Sequence, residues 1–235
     1  MKDCKKLKVS ITAVVPVYNE EKFVRGSIEK LLKVQEIDEI FIVDDCSTDN
    51  SPSILKKLEE DNKKISLFKT SINGGKGKAI TKVQENLNTD YIVIHDADLE
   101  YNPEDIKLMV KSINNEKSNL VLGSRFKKDK KKQIYLRTYL ANMFLSFLFS
   151  VLYFSRITDI ASCYKLMPVN YFSNTAFKES SFSIEVELIA KFLRSGKSIV
   201  EVPINYKARS YQEGKKIKFK DGFLYIWAML IYRFS

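Results

Sequence analysis

Asp96, Asp98 and Glu100 follow one another at two-residue steps behind an apolar run at 91–95. In an extended entry to a loop, side chains at i and i+2 project the same way. Two carboxylates so placed can hold one hard divalent cation through oxygen ligands, and Mg²⁺ held in this way keeps waters and takes phosphate oxygens from its substrate. A D-x-D tripeptide alone fits a solvated acidic turn equally well. A second acid pair, Asp44-Asp45, closes another apolar run at 39–43. Together the pairs could serve a cation and the polar groups of a nucleoside. The chain has eight glycines, and Gly74, Gly75 and Gly77 are three of them, flanking Lys76. Glycine lets backbone approach a ligand closely, and Lys76 or Lys78 could meet phosphate. The other reading of this stretch is a plain turn before a helix.

Better-known phosphate loops are excluded by their frames. G-x-x-x-x-G-K-[ST] fails because Ile72 stands in place of its first glycine and Ala79 follows Lys78. G-x-G-x-x-G fails at Ile80, and the first strand is not followed by glycines. This argues against P-loop NTPases and against nicotinamide-binding Rossmann enzymes.

The elements that must position these residues alternate. Strands are predicted at 11–17, 39–43, 65–69, 91–95 and 120–122, with helices at 20–34, 50–62, 78–87 and 103–114 between them. Such alternation gives an α/β fold with a mostly parallel sheet covered by helices on both faces. The polar signatures fall just after strands, where the crevice of an open α/β sheet lies. Further on, residues 138–155 are eighteen without a charge, between Arg137 and Arg156. That length is at the margin for a membrane span. Because it contains Asn142, Ser146 and Ser150, an interfacial or groove-lining helix is the expectation. An amphipathic helix is predicted at 182–193, a strand at 199–203 and a short apolar helix at 223–234.

The 235 residues carry 39 Lys and Arg against 29 Asp and Glu, a net charge of +10, which suggests an anionic partner. Seven basic residues and one acid lie between Arg125 and Arg137, and six and one between Tyr206 and Lys220. Each run adjoins an apolar-aromatic stretch, as expected of a protein at an anionic membrane surface. Three cysteines make neither a disulfide framework nor a zinc cluster. No signal peptide is read at the start of the sequence, and a reducing compartment is expected.

In order along the chain stand Pro16-Val17-Tyr18-Asn19-Glu20, Asp44-Asp45-Cys46-Ser47, Asn73-Gly74-Gly75-Lys76-Gly77-Lys78-Ala79, Asp96-Ala97-Asp98, Gly123-Ser124-Arg125-Phe126, Thr158-Asp159 with Cys163-Tyr164-Lys165, Glu185-Val186-Glu187, Glu201-Val202-Pro203, and Arg209 with Glu213-Gly214-Lys215-Lys216. This series resembles the family 2 glycosyltransferases, specifically the polyprenyl- or dolichyl-phosphate sugar transferases of the GT-A fold. The resemblance implies an inverting transfer of a hexose from a nucleotide-diphosphate sugar, GDP-mannose or UDP-glucose, to a lipid phosphate. It implies that Pro16, Tyr18, Glu20 and Asp44 contact the nucleoside and that Lys76 helps hold the nucleotide sugar. Asp96 and Asp98, assisted by Glu100, would bind Mg²⁺ or Mn²⁺ with the diphosphate. Arg125 would touch phosphate near the reacting centre, and Arg209 and Lys215 would close over it. Asp98 and Arg125 are the expected catalytic residues. Residues 1–126 would form the nucleotide-sugar half and 127–235 the acceptor half of one continuous catalytic domain. The protein would be cytoplasmic and peripheral on a membrane, without a nucleic-acid partner. The loop Arg-Ser-Tyr-Gln-Glu-Gly-Lys-Lys is longer than that of the dolichol enzymes, which leaves Lys215 and Lys216 as alternatives for one position.

Other residues are read more plainly. Alternation puts His95, the only histidine, opposite Asp96 and therefore in the core. Cys163 is read as a small buried residue, and Tyr164 and Lys165 as packing the cleft floor. Glu185 and Glu187 lie two apart on a helix and cannot share a face, so at most one reaches the cleft. Three other functions stay open at this level: transfer to a sugar hydroxyl, an Asp-nucleophile phosphatase using Asp96 and Asp98, and a basic nucleic-acid binder. The phosphatase lacks the usual Thr or Val at position 100, and the nucleic-acid reading leaves the converging acids unexplained.

Overall fold

The computed structural model describes residues 9–113, 119–127, 135–209 and 219–234. Seven strands form one sheet: β1 (Ile11–Val17), β2 (Glu39–Asp44), β3 (Ile65–Lys69), β4 (Tyr91–Ile94), β5 (Leu120–Ser124), β6 (Lys165–Pro168) and β7 (Ile199–Pro203). Their order is β3-β2-β1-β4-β6-β5-β7. β1 to β4 pair in parallel, β5 pairs in parallel with β7, and β6 is antiparallel to both of its neighbours. The fold is thus α/β with a mostly parallel sheet, as the alternation predicts. The inner strands read as near-continuous apolar runs because both faces are covered; every residue of β4 and β5 is buried. The sheet draws strands from both sides of residue 126.

Eight helices lie among the described residues: α1 (Val24–Leu31), α2 (Ser51–Asp61), α3 (Lys76–Thr81), α4 (Ile106–Lys111), α5 (Leu136–Tyr153), α6 (Val169–Ser173), α7 (Ile184–Arg194) and α8 (Phe219–Phe234). Several are shorter than their periodicity suggests. Residues 84–86 and 103–105 form 3₁₀ turns instead of lengthening α3 and α4. α1 starts late because the carbonyl of Glu20 takes the amides of both Phe23 and Val24, closing a turn that aims residues 18–20 at the sheet edge. Of the predicted helix 103–114, residue 114 lies outside the described residues.

α5 is turned inside out relative to an ordinary surface helix. Its polar Asn142 and Ser146 face the protein, where the Ser146 hydroxyl accepts the Ile160 amide at 3.1 Å. Its apolar Leu140, Met143, Phe144, Phe147 and Val151 face outward. α8 buries Tyr225, Ala228, Met229 and Tyr232 at helical spacing and exposes Phe223, Trp227, Ile231 and Phe234. The two helices pack together, with the Tyr153 hydroxyl donating to the Met229 carbonyl at 2.9 Å. α5 is also long and apolar enough to cross a bilayer, by length and composition alone.

Candidate functional site

Parallel pairing puts the carboxyl ends of β1, β2, β4 and β5 on one edge. The register sets Val17 beside Asp44 and Val14 beside Ile94, so β1 and β2 end level and β4 gives way to its loop earlier on the same edge. A cavity of about 290 Å³ opens there, lined among others by Pro16, Tyr18, Glu20, Lys76, Asp96, Asp98, Glu100, Arg125 and Arg209. Nine of the residues expected from the sequence therefore meet in one cleft. Asp44 sits behind it: its Oδ1 accepts the Ser47 amide at 3.0 Å, while its buried Oδ2 has no hydrogen-bond partner and lies 3.9 Å from Lys69 Nζ. Lys215 lies outside the described residues, as do Glu213, Gly214 and Lys216.

One wall of the cleft is a buried chain of charges. Lys76 Nζ forms ion pairs with Asp96 Oδ1 at 2.8 Å and with Glu185 Oε1 at 2.7 Å. The other oxygen of Glu185 meets Lys165, which is fully buried and also donates to the Ser162 carbonyl. Burial works against the Lys76 charge, but Asp96 and Glu185 outweigh it and raise its pKa well above the usual lysine range. Burial likewise opposes the Asp96 charge, yet Lys76 holds that carboxyl below its ordinary value. Glu185 is the one residue of its pair that reaches the cleft. Glu187 turns away and accepts the amides of Lys178 and Glu179 at 2.8–3.0 Å.

The opposite wall has one cation among three acids. Arg209 lies 3.0 Å from Glu20, 3.0 Å from Asp98 and 3.7 Å from Glu100. Glu100 also accepts the Tyr206 hydroxyl at 2.6 Å and the Arg209 amide at 2.8 Å. These bonds carry residues 206–209 across the cleft mouth, alongside a bridge between Tyr101 and Tyr206. Burial, then the charges of Asp96 and Glu100, push the pKa of Asp98 up to about 7, against the pull of Arg209.

A third charged group closes the end near β5. Asp159, fully buried, takes Nε and Nη2 of Arg125 at 2.8 and 2.7 Å and the Arg125 amide at 2.9 Å. Arg125 thus has a fixed plane, with the Tyr206 ring 4.9 Å from its guanidinium carbon. Asp159 appears in the sequence series without a role, and its pairing with Arg125 could not be read from residues 34 positions apart.

The glycines also let another stretch of the chain come close. A Cβ on Gly77 would stand 2.0 Å from the Glu179 carbonyl oxygen, and one on Gly75 would stand 2.6 Å from that of Ser180. What comes close to this backbone is the chain's own segment 179–180. Gly77 donates its amide to Ser180 at 2.8 Å. Gly75 has φ +84°, a conformation glycine adopts freely. Asp45, unassigned by the sequence reading, accepts the amides of Gly74 and Gly75 at 3.0 and 2.7 Å. The glycine loop is therefore tied to the end of β2.

His95 is a core residue, as alternation predicts. It lies behind Asp96, bonded to Ser27 Oγ at 3.0 Å and the Tyr164 hydroxyl at 2.9 Å, and burial lowers its pKa to about 4. Cys163 is buried against the Ile94 carbonyl, and burial raises its pKa well above the usual thiol range.

The donor set fits a divalent cation that completes its shell with substrate oxygens. Among the described residues no group of three or more side chains forms a metal cage. Mg²⁺ needs only one or two carboxylates when phosphates and water supply the rest. Asp98, crowded by like charge and short of compensation, is the carboxylate that gains most from such a cation.

The sequence matches the model of glycosyl transferase family 2 over residues 12–183. It is 31% identical to the UDP-N-acetylglucosamine–dolichyl-phosphate N-acetylglucosaminyltransferase of Methanococcus voltae, over 94% of this chain and 95% of that one. It is 32% identical to the undecaprenyl-phosphate 4-deoxy-4-formamido-L-arabinose transferase of Proteus mirabilis, over 49% of this chain and 36% of that one. Glucosyl-3-phosphoglycerate synthase from Mycobacterium tuberculosis, in complex with Mn²⁺, uridine diphosphate and phosphoglyceric acid, superposes with a TM-score of 0.74. It covers 96% of this chain and 79% of that one at 18% identity. At that identity the likeness speaks for the fold.

Proposed function

The chain belongs to glycosyl transferase family 2 and has its GT-A fold, and from that premise we propose that it transfers a hexose, with inversion, from a nucleotide-diphosphate sugar to a polyprenyl phosphate at a membrane surface. The observation that carries the choice of acceptor is the state of the acids in the cleft. A hydroxyl acceptor must lose a proton as it attacks and needs a carboxylate or histidine beside it. Every carboxylate lining the cavity has an ion-pair or backbone partner, and Asp98, the least compensated, is the one assigned to the metal. Glu20, Asp98 and Glu100 share Arg209, Asp96 and Glu185 share Lys76, and Asp45 holds backbone amides. His95 is not among the cavity's lining residues. A phosphate acceptor is already anionic at neutral pH, with a second ionisation near 6 by analogy with phosphoserine, so it needs no base. The two curated relatives described above are named for lipid-phosphate acceptors.

In this reading Pro16, Tyr18 and Glu20 face the nucleoside, and Asp44 offers its unpartnered Oδ2 to a base or ribose donor. Lys76 holds the nucleotide sugar from the opposite wall. Asp98 and Asp96, assisted by Glu100, would bind Mg²⁺ or Mn²⁺ with the diphosphate, Asp98 being the less compensated of the two. The bound metal would offset charge on the departing diphosphate. An acceptor phosphate oxygen attacks the anomeric carbon as the bond from that carbon to the diphosphate breaks. The nucleoside diphosphate leaves with the electron pair. Arg125, held flat by Asp159, stabilises charge at the reacting centre. Arg209 closes over the donor. Residues 1–126 would supply most of the donor site and 127–235 the acceptor site, with Arg209 reaching back over the donor. The outward apolar faces of α5 and α8, near Lys127, Arg137, Arg156 and Arg233 in sequence, suit a peripheral protein on the cytoplasmic face of an anionic bilayer.

The test offers UDP-glucose, UDP-N-acetylglucosamine and GDP-mannose with Mg²⁺ or Mn²⁺, against a polyprenyl phosphate and against the corresponding polyprenol. Transfer is expected to the phosphate only, and Arg125→Ala should slow it roughly 10²-fold or more. Equal transfer to the alcohol, or to a sugar hydroxyl, would make a hydroxyl acceptor the better reading.

A further inference from the structure

Segment 178–183 joins the outward-facing helix α8 to the glycine loop of the cleft. At its start, the amides of Lys178 and Glu179 are held by Glu187 of α7. On its inner side it lies on the glycine loop so closely that neither Gly75 nor Gly77 has room for a Cβ, and Gly77 bonds the Ser180 carbonyl. On its outer side the Glu179 carboxylate accepts the Tyr232 hydroxyl of α8 at 3.0 Å through Oε1 and the Ser183 hydroxyl through Oε2. At its far end Phe182 enters the cavity wall, its ring centre 5.8 Å from Lys76 Nζ, and Glu185 follows with its own ion pair to Lys76.

Tyr232 belongs to the buried face of α8, as does Tyr225, which also lines the cavity. The opposite face of the same helix exposes Trp227, Ile231 and Phe234. One helix therefore carries an outward apolar face and, through Tyr232 and Glu179, a hold on the segment that sets Lys76. A shift of α8 cannot leave this segment unmoved without breaking that bond, and the close packing on the glycines passes the displacement to the loop.

We propose that Tyr232 and Glu179 are positioning residues through which seating of α8 on a lipid surface tightens the grip of the cleft on its nucleotide. The inference rests on the donor and bilayer assignments made above. Coupling of this kind is reciprocal: a nucleotide that binds better on vesicles makes the protein bind vesicles better by the same factor.

The experiment titrates the full chain with UDP and with GDP, each with Mn²⁺, in the presence and absence of vesicles of phosphatidylglycerol and phosphatidylcholine lacking any acceptor. Vesicles should lower the Kd of the nucleotide that binds by about fivefold or more, and saturating nucleotide should raise vesicle affinity by the same factor. Tyr232→Phe, which removes one oxygen, should abolish the tightening while its vesicle-free Kd and its vesicle affinity stay within about twofold of the native values. Glu179→Gln still presents an amide oxygen to Tyr232 and should keep the coupling; Glu179→Ala should lose it. Tightening that survives in Tyr232→Phe would overturn the proposal. So would an equal loss of nucleotide affinity with and without vesicles, the mark of a merely structural bond. Failures elsewhere are separable. Binding of neither nucleotide overturns the donor assignment, nucleotide binding without vesicle binding overturns the bilayer assignment, and both without coupling overturns this inference alone.

Discussion

The two walls of the cleft differ in their charge. The Lys76 wall sets two cations, Lys76 and Lys165, against two carboxylates, Asp96 and Glu185, in an alternating buried chain. The Arg209 wall sets one cation against three carboxylates, Glu20, Asp98 and Glu100. The first is complete within the protein; the second carries a formal surplus of two negative charges, the charge that a divalent cation brings. The pKa directions agree. Asp96 is held low once its lysine outweighs burial, whereas burial and like charge leave Asp98 raised to about 7. Two carboxylates that look equivalent in Asp96-Ala97-Asp98 therefore stand in different surroundings: Asp96 is paired with Lys76, and Asp98 is crowded by like charge.

If this division is right, the walls should fail differently. The largest effect is expected from Lys165→Met. Breaking a buried pair by removing one partner costs about 3–5 kcal/mol, and here it leaves Asp96 and Glu185 to share Lys76 alone. Urea unfolding should show the loss in full. The double replacement Lys165→Met with Glu185→Met should recover part of it, since buried pairs exchanged for apolar groups are often neutral. A Lys165→Met protein as stable as the native one would mean that the chain of charges does not hold this wall together.

Asp98→Ala should do the reverse. It removes one of three crowded acids, so the fold should persist with an unchanged or higher Tm. The transfer rate should fall roughly 10²-fold or more, equivalent to about 2.7 kcal/mol of transition-state stabilisation. Full turnover by folded Asp98→Ala protein would break the metal assignment and, with it, the contrast between the walls.

How much of this was legible beforehand follows from what kind of signal each feature leaves. The parallel strands are continuous apolar runs, and the polar residues after them announce the edge at which they meet. β6 left no such signal. Its four residues begin with Lys165 and end with Pro168, and a lysine enters a core strand only because Glu185, twenty positions on, meets it. The pairing of Arg125 with Asp159 is hidden for the same reason. The glycines were visible, but composition could not say what approaches them, and segment 179–180 has no motif. The uncharged run at 138–155 was legible as a helix. Its orientation, with Asn142 and Ser146 inward and Phe144 and Phe147 outward, required the structure, because the polar positions by themselves suit either direction.

His95 gives the smallest and most specific test of the balanced wall, since it lies directly behind Asp96. Burial lowers its pKa to about 4; Asp96 pulls the other way, and Lys76 adds to the lowering. An unfolded histidine titrates near 6.5. Between those values the unfolded chain binds a proton that the folded one refuses, so stability rises with pH across the window and is lost as pH falls from about 6.5 towards 4. For the metal-free protein this group alone should cost about 2 kcal/mol between pH 7 and pH 5. His95→Gln should remove that increment, whatever fixed loss it adds by disturbing the bonds to Ser27 and Tyr164. The measurement is therefore a difference of slopes: urea unfolding at several pH values for both proteins. Equal slopes would mean that His95 accepts a proton in the folded state. That would require a negative charge beside it that Lys76 does not cancel, and the wall would not be balanced after all.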